Sequence, residues 1–354
     1  MILSKEQVGR YIDCVKSLKK VCSFTDIHVS PFEVIFNAFS YAPNPYYKGV
    51  YSLDGTSYKP PSIGAFRIET CSAKSLPEKS KCVPAKFSLM LYRQLYRHIG
   101  PRVLSDHMSL SGISRSLLLP VVQPDSDGEE QFRLMFNIYS GDERFRLGYC
   151  IPNTVSNEDI LPHVKGAVAK YKIRAIKVHP NITEIDLSTT EGKRRVESIL
   201  EVCRITDLPL IIHGGLSSVL KNPSSRGYAA LANLCQIDWG ITSSPVVISH
   251  AGMMGHSLSE ISDQMPLLRR ILSSHGNVML DMSALDLGAL RLILKKVDRD
   301  RIIFGSDAFY FPQWCAVVKL LHALEEATSD MEEAFIGIAG HNPAKYILHK
   351  EVCK

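Results

Sequence analysis

Leu208-Pro-Leu-Ile-Ile-His213-Gly-Gly215 is an apolar run that stops at an imidazole followed by two glycines. Three other runs in the second half of the chain are built alike: Ala175-Ile-Lys-Val-His179, Val246-Val-Ile-Ser-His250 and Ile302-Ile-Phe-Gly-Ser-Asp307. Their end residues are about 35, 37 and 57 residues apart, and the longest gap holds a further strand-like run, Asn277-Val-Met-Leu-Asp281. One strand, one helix and two loops use about that many residues, so the pattern predicts consecutive βα units of a parallel barrel. The carboxyl ends of all barrel strands open on one mouth, where enzyme sites lie. The spacing therefore predicts that these polar ends meet in space.

Working outward, the same rhythm extends over most of the chain. Val8, Tyr11, Ile12, Val15 and Leu18 recur at helical spacing and predict a helix over about 5–20. A first strand follows over 21–29 and carries Asp26-Ile-His28-Val-Ser30. Further strands are expected over 114–122, 146–151, 174–178, 208–213, 245–250, 277–282 and 301–307, joined by helix-length connections such as 160–171 and 194–205. A closing helix over about 314–326 and a short one near Asn342 complete the count. The expected fold class is α/β, a (β/α)8 TIM barrel, with residues 1–354 as one domain. Residues 32–105 break the rhythm and are rich in proline, tyrosine, serine and lysine, with one helical stretch over 87–98. An insertion after the first strand emerges at the mouth, where it serves either as a lid and substrate wall or as a surface for subunit contact.

Composition agrees with a soluble, cytoplasmic enzyme. Of 354 residues, 45% are hydrophobic and 22% charged, enough apolar material for a large core. The net charge of +5 is spread over helix faces and lacks interleaved aromatics, which argues against nucleic acid. Nine cysteines, an odd number without CxxC spacing, read as reduced thiols. No run approaches the roughly 18 apolar residues of a membrane helix. The first residues lack a signal-peptide core, and Glu6 and Asp13 count against a transit peptide. The expected partners are a small-molecule substrate and, through the excursion, a second copy in a possible homodimer.

The chemistry rests on the strand ends taken together. His98, His107, His163, His275 and His349 lie in helical or loop contexts and read as structural. His213 and His250 instead end apolar strands next to glycines, which let the backbone turn sharply and approach a ligand. Asp307 follows an equally apolar strand, where a carboxylate is costly to bury unless it is paired or binds a cation. His28, His213 and Asp307 supply the three protein ligands of a catalytic zinc. Such an ion lowers the pKa of bound water towards neutrality.

In order along the chain, Thr25-Asp-Ile-His-Val-Ser-Pro31, Ile176-Lys-Val-His-Pro180, Leu208-Pro-Leu-Ile-Ile-His-Gly214, Val247-Ile-Ser-His-Ala-Gly252, Arg301-Ile-Ile-Phe-Gly-Ser-Asp307 and Gly340-His-Asn-Pro-Ala-Lys345 resemble the amidohydrolase superfamily. The likeness is to its amidohydrolase-related branch of hydrolases and decarboxylases. It implies a distorted barrel with one or two divalent ions at the mouth. The first-strand signature of that branch is DxHxH, and here Ser30 replaces the second histidine. Three arrangements follow: the ion keeps His28, His213 and Asp307; or Asp26 and His28 become the first-strand ligands; or the ion is lost. Lys177 matches the position of a lysine that is carboxylated in two-metal members and unmodified in one-metal relatives. With Ser30 in place, the expectation is one divalent ion, zinc, with manganese the alternative. His179 shares the face of Lys177 by strand periodicity and either joins the ligands or packs at the strand end.

The leading expectation is a metal-dependent hydrolase of an amide, lactone or related C–N or C–O bond. Asp307 would move the proton and His250 would polarise the carbonyl, while in a decarboxylase the ion and Lys177 or His250 would hold the acid. The rivals are a decarboxylase of an aromatic or unsaturated acid and a catalytically degenerate barrel that binds or scaffolds.

Overall fold

The computed structural model describes residues 1–30, 61–70, 101–217, 222–308 and 312–348. Most of the 32–105 excursion, including the helix expected over 87–98, lies outside the described residues, as does His349. Eight parallel strands form a nearly closed barrel: β1 (Thr25–Val29), β2 (Arg115–Leu118), β3 (Phe145–Cys150), β4 (Ala175–Val178), β5 (Leu210–Ile212), β6 (Val246–Ile248), β7 (Val278–Asp281) and β8 (Ile302–Ile303). Each pairs with its neighbour in chain order. The seam between β1 and β8 is closed by bonds from Ile27 N to Phe304 O (3.1 Å), Asp307 N to His28 O (2.8 Å) and Ser30 N to Ala308 O (2.6 Å).

Helices cover the outside: α1 (Lys5–Leu18), α2 (Pro101–Ser111), α3 (Glu129–Tyr139), α4 (Ile160–Tyr171), α5 (Thr190–Thr206), α6 (Leu258–Ser274), α7 (Leu287–Lys296) and α8 (Gln313–Ala327). The register of α1 is set at its start by a capping box between Ser4 and Gln7. Among the described residues, no helix is long and apolar enough to cross a membrane. Two departures from the expected rhythm distort the barrel. Among the described residues, the β5–β6 connection holds short helical turns, Pro223–Gly227, Leu231–Leu234 and Trp239–Ile241, instead of one long helix. Strand β8 is also shorter than its apolar run, because Phe304 N–H turns to Ile338 O and leaves the ladder.

Alternation divides the core in two. Ile27, Leu117, Leu119, Ala175, Ile211, Val247, Met279 and Ile303 fill the barrel interior, while their strand neighbours Ile176, Leu210, Ile212, Val246, Ile248, Val278, Leu280 and Ile302 pack outward with the helices. By the same period of two, Lys177, His213, Ser249 and Asp281 continue the interior face toward the mouth. His28 follows inward-facing Ile27 and would point outward in a regular strand. A bulge changes this: Asp26 pairs with Ser116 and Val29 with Leu118, so three steps on β1 oppose two on β2. The extra residue lets both Ile27 and His28 lie on the inner side before Val29 packs outward.

The bulge is held by Asp26, which is fully buried. Oδ1 accepts the backbone N–H groups of His28 (3.1 Å) and Ser306 (3.0 Å). Oδ2 accepts Ser306 Oγ–H (2.5 Å) and Gln313 Nε2–H (2.6 Å). Burial pushes its pKa up to about 6, while the bonds from Gln313 and Ser306 work in the other direction. Gln313 Oε1 has no partner, so its amide can rotate to accept a donor instead. Asp26→Ala strands several buried donors and should cost about 3 kcal/mol of stability. Asp26→Asn, with Gln313 rotated, should cost less than about 1 kcal/mol. Urea denaturation of the two variants checks this, and equal losses would refute the assigned bonds.

Candidate metal centre

Six of the seven candidate side chains gather at the mouth. Lys177 Nζ lies 3.5 Å from His28 Nε2 and 3.4 Å from Ser249 Oγ, and Asp307 Oδ1 lies 3.7 Å from His28 Nε2. The His28 and His250 rings are 5.1 Å apart, those of His250 and His213 5.0 Å, and His213 stacks on His179 at 3.9 Å. All six side chains are buried. Asp26 is not part of this group. Both its oxygens are engaged with Ser306, Gln313 and the His28 backbone, so it offers no free lone pair to an ion in the register that pairs it with His28.

The backbone is bent to deliver these groups. His250, Ala251 and Asp307 have φ of 56°, 50° and 58°. Side chains at such φ cost about 1–2 kcal/mol each, and that strain collects at functional sites. Two glycines make the approach possible. A Cβ on Gly214 would lie 2.6 Å from Gly252 Cα, so the ends of β5 and β6 touch backbone to backbone. A Cβ on Gly305 would lie 2.8 Å from His28 Cβ, so any larger residue there displaces His28.

Burial sets the charges. It lowers the pKa of His28, with Lys177 adding to the effect, and takes His179 and His213 well below their ordinary value. It takes His250 down to about 3. All four rings are therefore neutral at pH 7, the form that ligates metals. Lys177 is lowered to about 8 by burial, with Asp281 and Asp307 opposing. Burial raises Asp307 well above the carboxylate range, while Lys177 acts the other way.

Two residues not among the candidates complete the cluster. Asp281 Oδ2 accepts from His28 Nδ1 at 2.8 Å, and its Oδ1 accepts the Ser283 N–H at 2.7 Å. Burial opposes its ionisation, but the neighbouring His28 and the hydrogen bonds outweigh it and hold Asp281 well below the usual range. Asp281 ends a strand that was recognised from sequence, so its position at the mouth was legible. Its partner was not, because that bond depends on the bulge in β1.

Neutral imidazoles and carboxylates are the donor types that suit a divalent cation. His213 Nε2 is buried without a hydrogen-bond partner. His28 Nδ1 is committed to Asp281, which leaves the Nε2 lone pair facing Asp307. Ligating histidines commonly give their second nitrogen to a carboxylate in this way. The Lys177 contacts are at the limit of hydrogen bonding, so its amine is loosely held. Among the described residues, the group of three whose ligand atoms lie within 4.8 Å of one another is His28, His250 and Asp281, without His213 or Asp307. The Asp281 carboxylate in that group is already used on His28 and Ser283, so it buttresses the ring. His179 fits poorly as a ligand: its Nδ1 accepts the Ile182 N–H at 3.3 Å, which puts the ring proton on Nε2 when neutral.

The family model of the amidohydrolases matches residues 140–346, well over half of the chain. The chain belongs to the amidohydrolase family. No curated protein sequence matches it. Solved structures with the same fold include an amidohydrolase from Burkholderia multivorans with bound zinc, at 15% identity and TM-score 0.52, over 72% of this chain and 90% of that one. A 4-oxalomesaconate hydratase from Rhodopseudomonas palustris is 13% identical, with TM-score 0.52 over 93% and 96%. A dihydroxybenzoic acid decarboxylase from a Polaromonas species, with bound manganese and the inhibitor 2-nitroresorcinol, is 10% identical, with TM-score 0.52 over 94% and 98%. At these identities the likeness is one of fold.

The geometry separates the two stacked imidazoles of this amidohydrolase. His213→Ala should abolish binding of zinc or manganese measured by calorimetry, whereas His179→Ala should keep binding within about tenfold, as expected for an outer residue. Equal losses would make His179 a ligand after all.

Proposed function

We propose that this amidohydrolase is a metal-dependent hydrolase of a C–N or C–O bond such as an amide or lactone. The observation that carries the reading is the unpartnered, buried Nε2 of His213, in a cluster where Asp307 faces His28 Nε2. One zinc ion, or manganese, held by His28, His213 and Asp307 would supply a Lewis acid and acidify its water. Asp307, whose ionisation burial opposes, is suited to take a proton from the attacking water and return it to the leaving group.

The tautomer of His250 revises the part expected for it. Its Nδ1 lies 2.9 Å from the Ser283 carbonyl, which only accepts, and 2.9 Å from the Ser283 hydroxyl, which can accept as well, so we assign the ring proton to Nδ1. Neutral His250 then presents a lone pair at Nε2, so it accepts a hydrogen bond from water and cannot polarise a carbonyl. The donor for a developing oxyanion is Lys177, whose amine has only loose contacts. The related structures include a decarboxylase and a hydratase, so a lyase reaction at the same site is the second reading.

A panel of lactones, amides and aromatic acids, assayed with added zinc or manganese in ¹⁸O-water, tests this reading. Hydrolysis should place one solvent oxygen in the product acid. Release of carbon dioxide without ¹⁸O in the organic product would assign the lyase instead. His250→Ala should keep the ion and lose about 10²–10⁴-fold in turnover, the worth of a positioned acid–base group. Protein that takes up neither ion would leave only a binding or scaffold role.

A further inference from the structure

Ser283 touches two of the four histidines at the mouth, His28 and His250. Its Oγ lies 3.1 Å from His28 Nδ1 and 2.9 Å from His250 Nδ1. Its carbonyl lies 2.9 Å from His250 Nδ1, and its N–H is given to Asp281 Oδ1 at 2.7 Å. The other oxygen of Asp281 lies 2.8 Å from His28 Nδ1. Asp281 and Ser283 are both buried to within 1% of full coverage, so water does not compete for these bonds.

We infer that Asp281 and Ser283 form a tautomer clamp: positioning residues that hold His28 and His250 with their protons on Nδ1 and so aim both Nε2 lone pairs into the mouth. The direction of each bond follows from what its partner can do. The Ser283 carbonyl only accepts, so His250 Nδ1 donates. Asp281 takes the Ser283 N–H on one oxygen, and as a carboxylate it accepts from His28 Nδ1 on the other. The hydroxyl lies within reach of both Nδ1–H groups and couples the two rings. A neutral imidazole free of such partners exchanges between tautomers, and in the wrong one Nε2 carries a proton and cannot ligate.

The clamp belongs to the metal-centre reading but does not depend on the reaction. Its first readout therefore uses neither metal nor substrate. Full-length protein stripped of metal and labelled with ¹⁵N-histidine should show His28 and His250 as Nδ1–H tautomers by long-range ¹H–¹⁵N correlation. Asp281→Asn offers His28 a donor amide and should turn His28 to Nε2–H while leaving His250 unchanged. Zinc affinity should then fall about 10–100-fold, the usual effect of losing an outer partner. Ser283→Ala keeps the carbonyl and the N–H, so both tautomers should persist. An Nε2–H tautomer at His28 or His250 in the wild-type protein overturns the clamp, even if Asp281→Asn does not fold. So does an Asp281→Asn variant whose His28 tautomer and zinc affinity are unchanged. Loss of hydrolysis with the tautomers intact would count against the hydrolase reading alone.

Discussion

The extra residue between Asp26 and Val29 turns the His28 side chain to the interior, and the described mouth is organised around that ring. Nε2 of His28 faces Lys177 and Asp307, Nδ1 faces Asp281 and Ser283, and the ring lies beside His250. A regular first strand would send His28 outward among the helices and leave Asp281 buried with a missing partner. Asp26 keeps the bulge by accepting the backbone N–H of His28 and tying it to Ser306 across the seam. The leading aspartate of the Asp26-Ile-His28 motif therefore works on the closure of the barrel, two residues from the ring that it positions.

The charge pattern follows from the same closure. Four imidazoles share one buried space, and burial disfavours the cation of each. Among the described residues Lys177 is the amine of this group, and Asp281 and Asp307 oppose the loss of its proton. The neutral rings provide lone pairs, the lysine provides a donor, and Asp281 provides negative charge. That mixture is in keeping with the proposed binding of a cation together with a polar carbonyl compound. Ser30 gives its backbone N–H to Ala308 O and so helps close the seam.

Much of this was legible in the sequence. The alternation of apolar residues located all eight strands, because strands buried on both faces read as apolar runs and stop where the mouth begins. Helix 160–171 was bounded correctly, since its apolar face and flanking polar residues are unambiguous. The convergence of Lys177, His179, His213, His250 and Asp307 followed from topology alone. The bulge was not visible, because an added residue leaves no mark in a run such as Thr25-Asp-Ile-His-Val, where every residue is buried. The job of Asp26 and the choice of tautomer at His250 were hidden for a related reason. Each depends on a partner about 280 or about 33 residues away, Ser306 and Ser283, whose small side chains carry no signal of their own.

The strained residues show why strand periodicity runs out where function starts. His250, Ala251 and Asp307 all have left-handed φ, so beyond β6 and β8 side-chain direction no longer alternates. At each site the bend is held by backbone bonds. The Met253 N–H returns to His250 O at 2.8 Å, and the Asp307 N–H reaches His28 O at 2.8 Å across the seam. The contact between Gly214 and Gly252 leaves no room for a straighter path. The strain of about 1–2 kcal/mol at each position is tolerated because these contacts over-determine the turn. A relaxed β6 or β8 would carry His250 or Asp307 past the mouth, so the barrel holds these two side chains in the cluster by keeping its strands short.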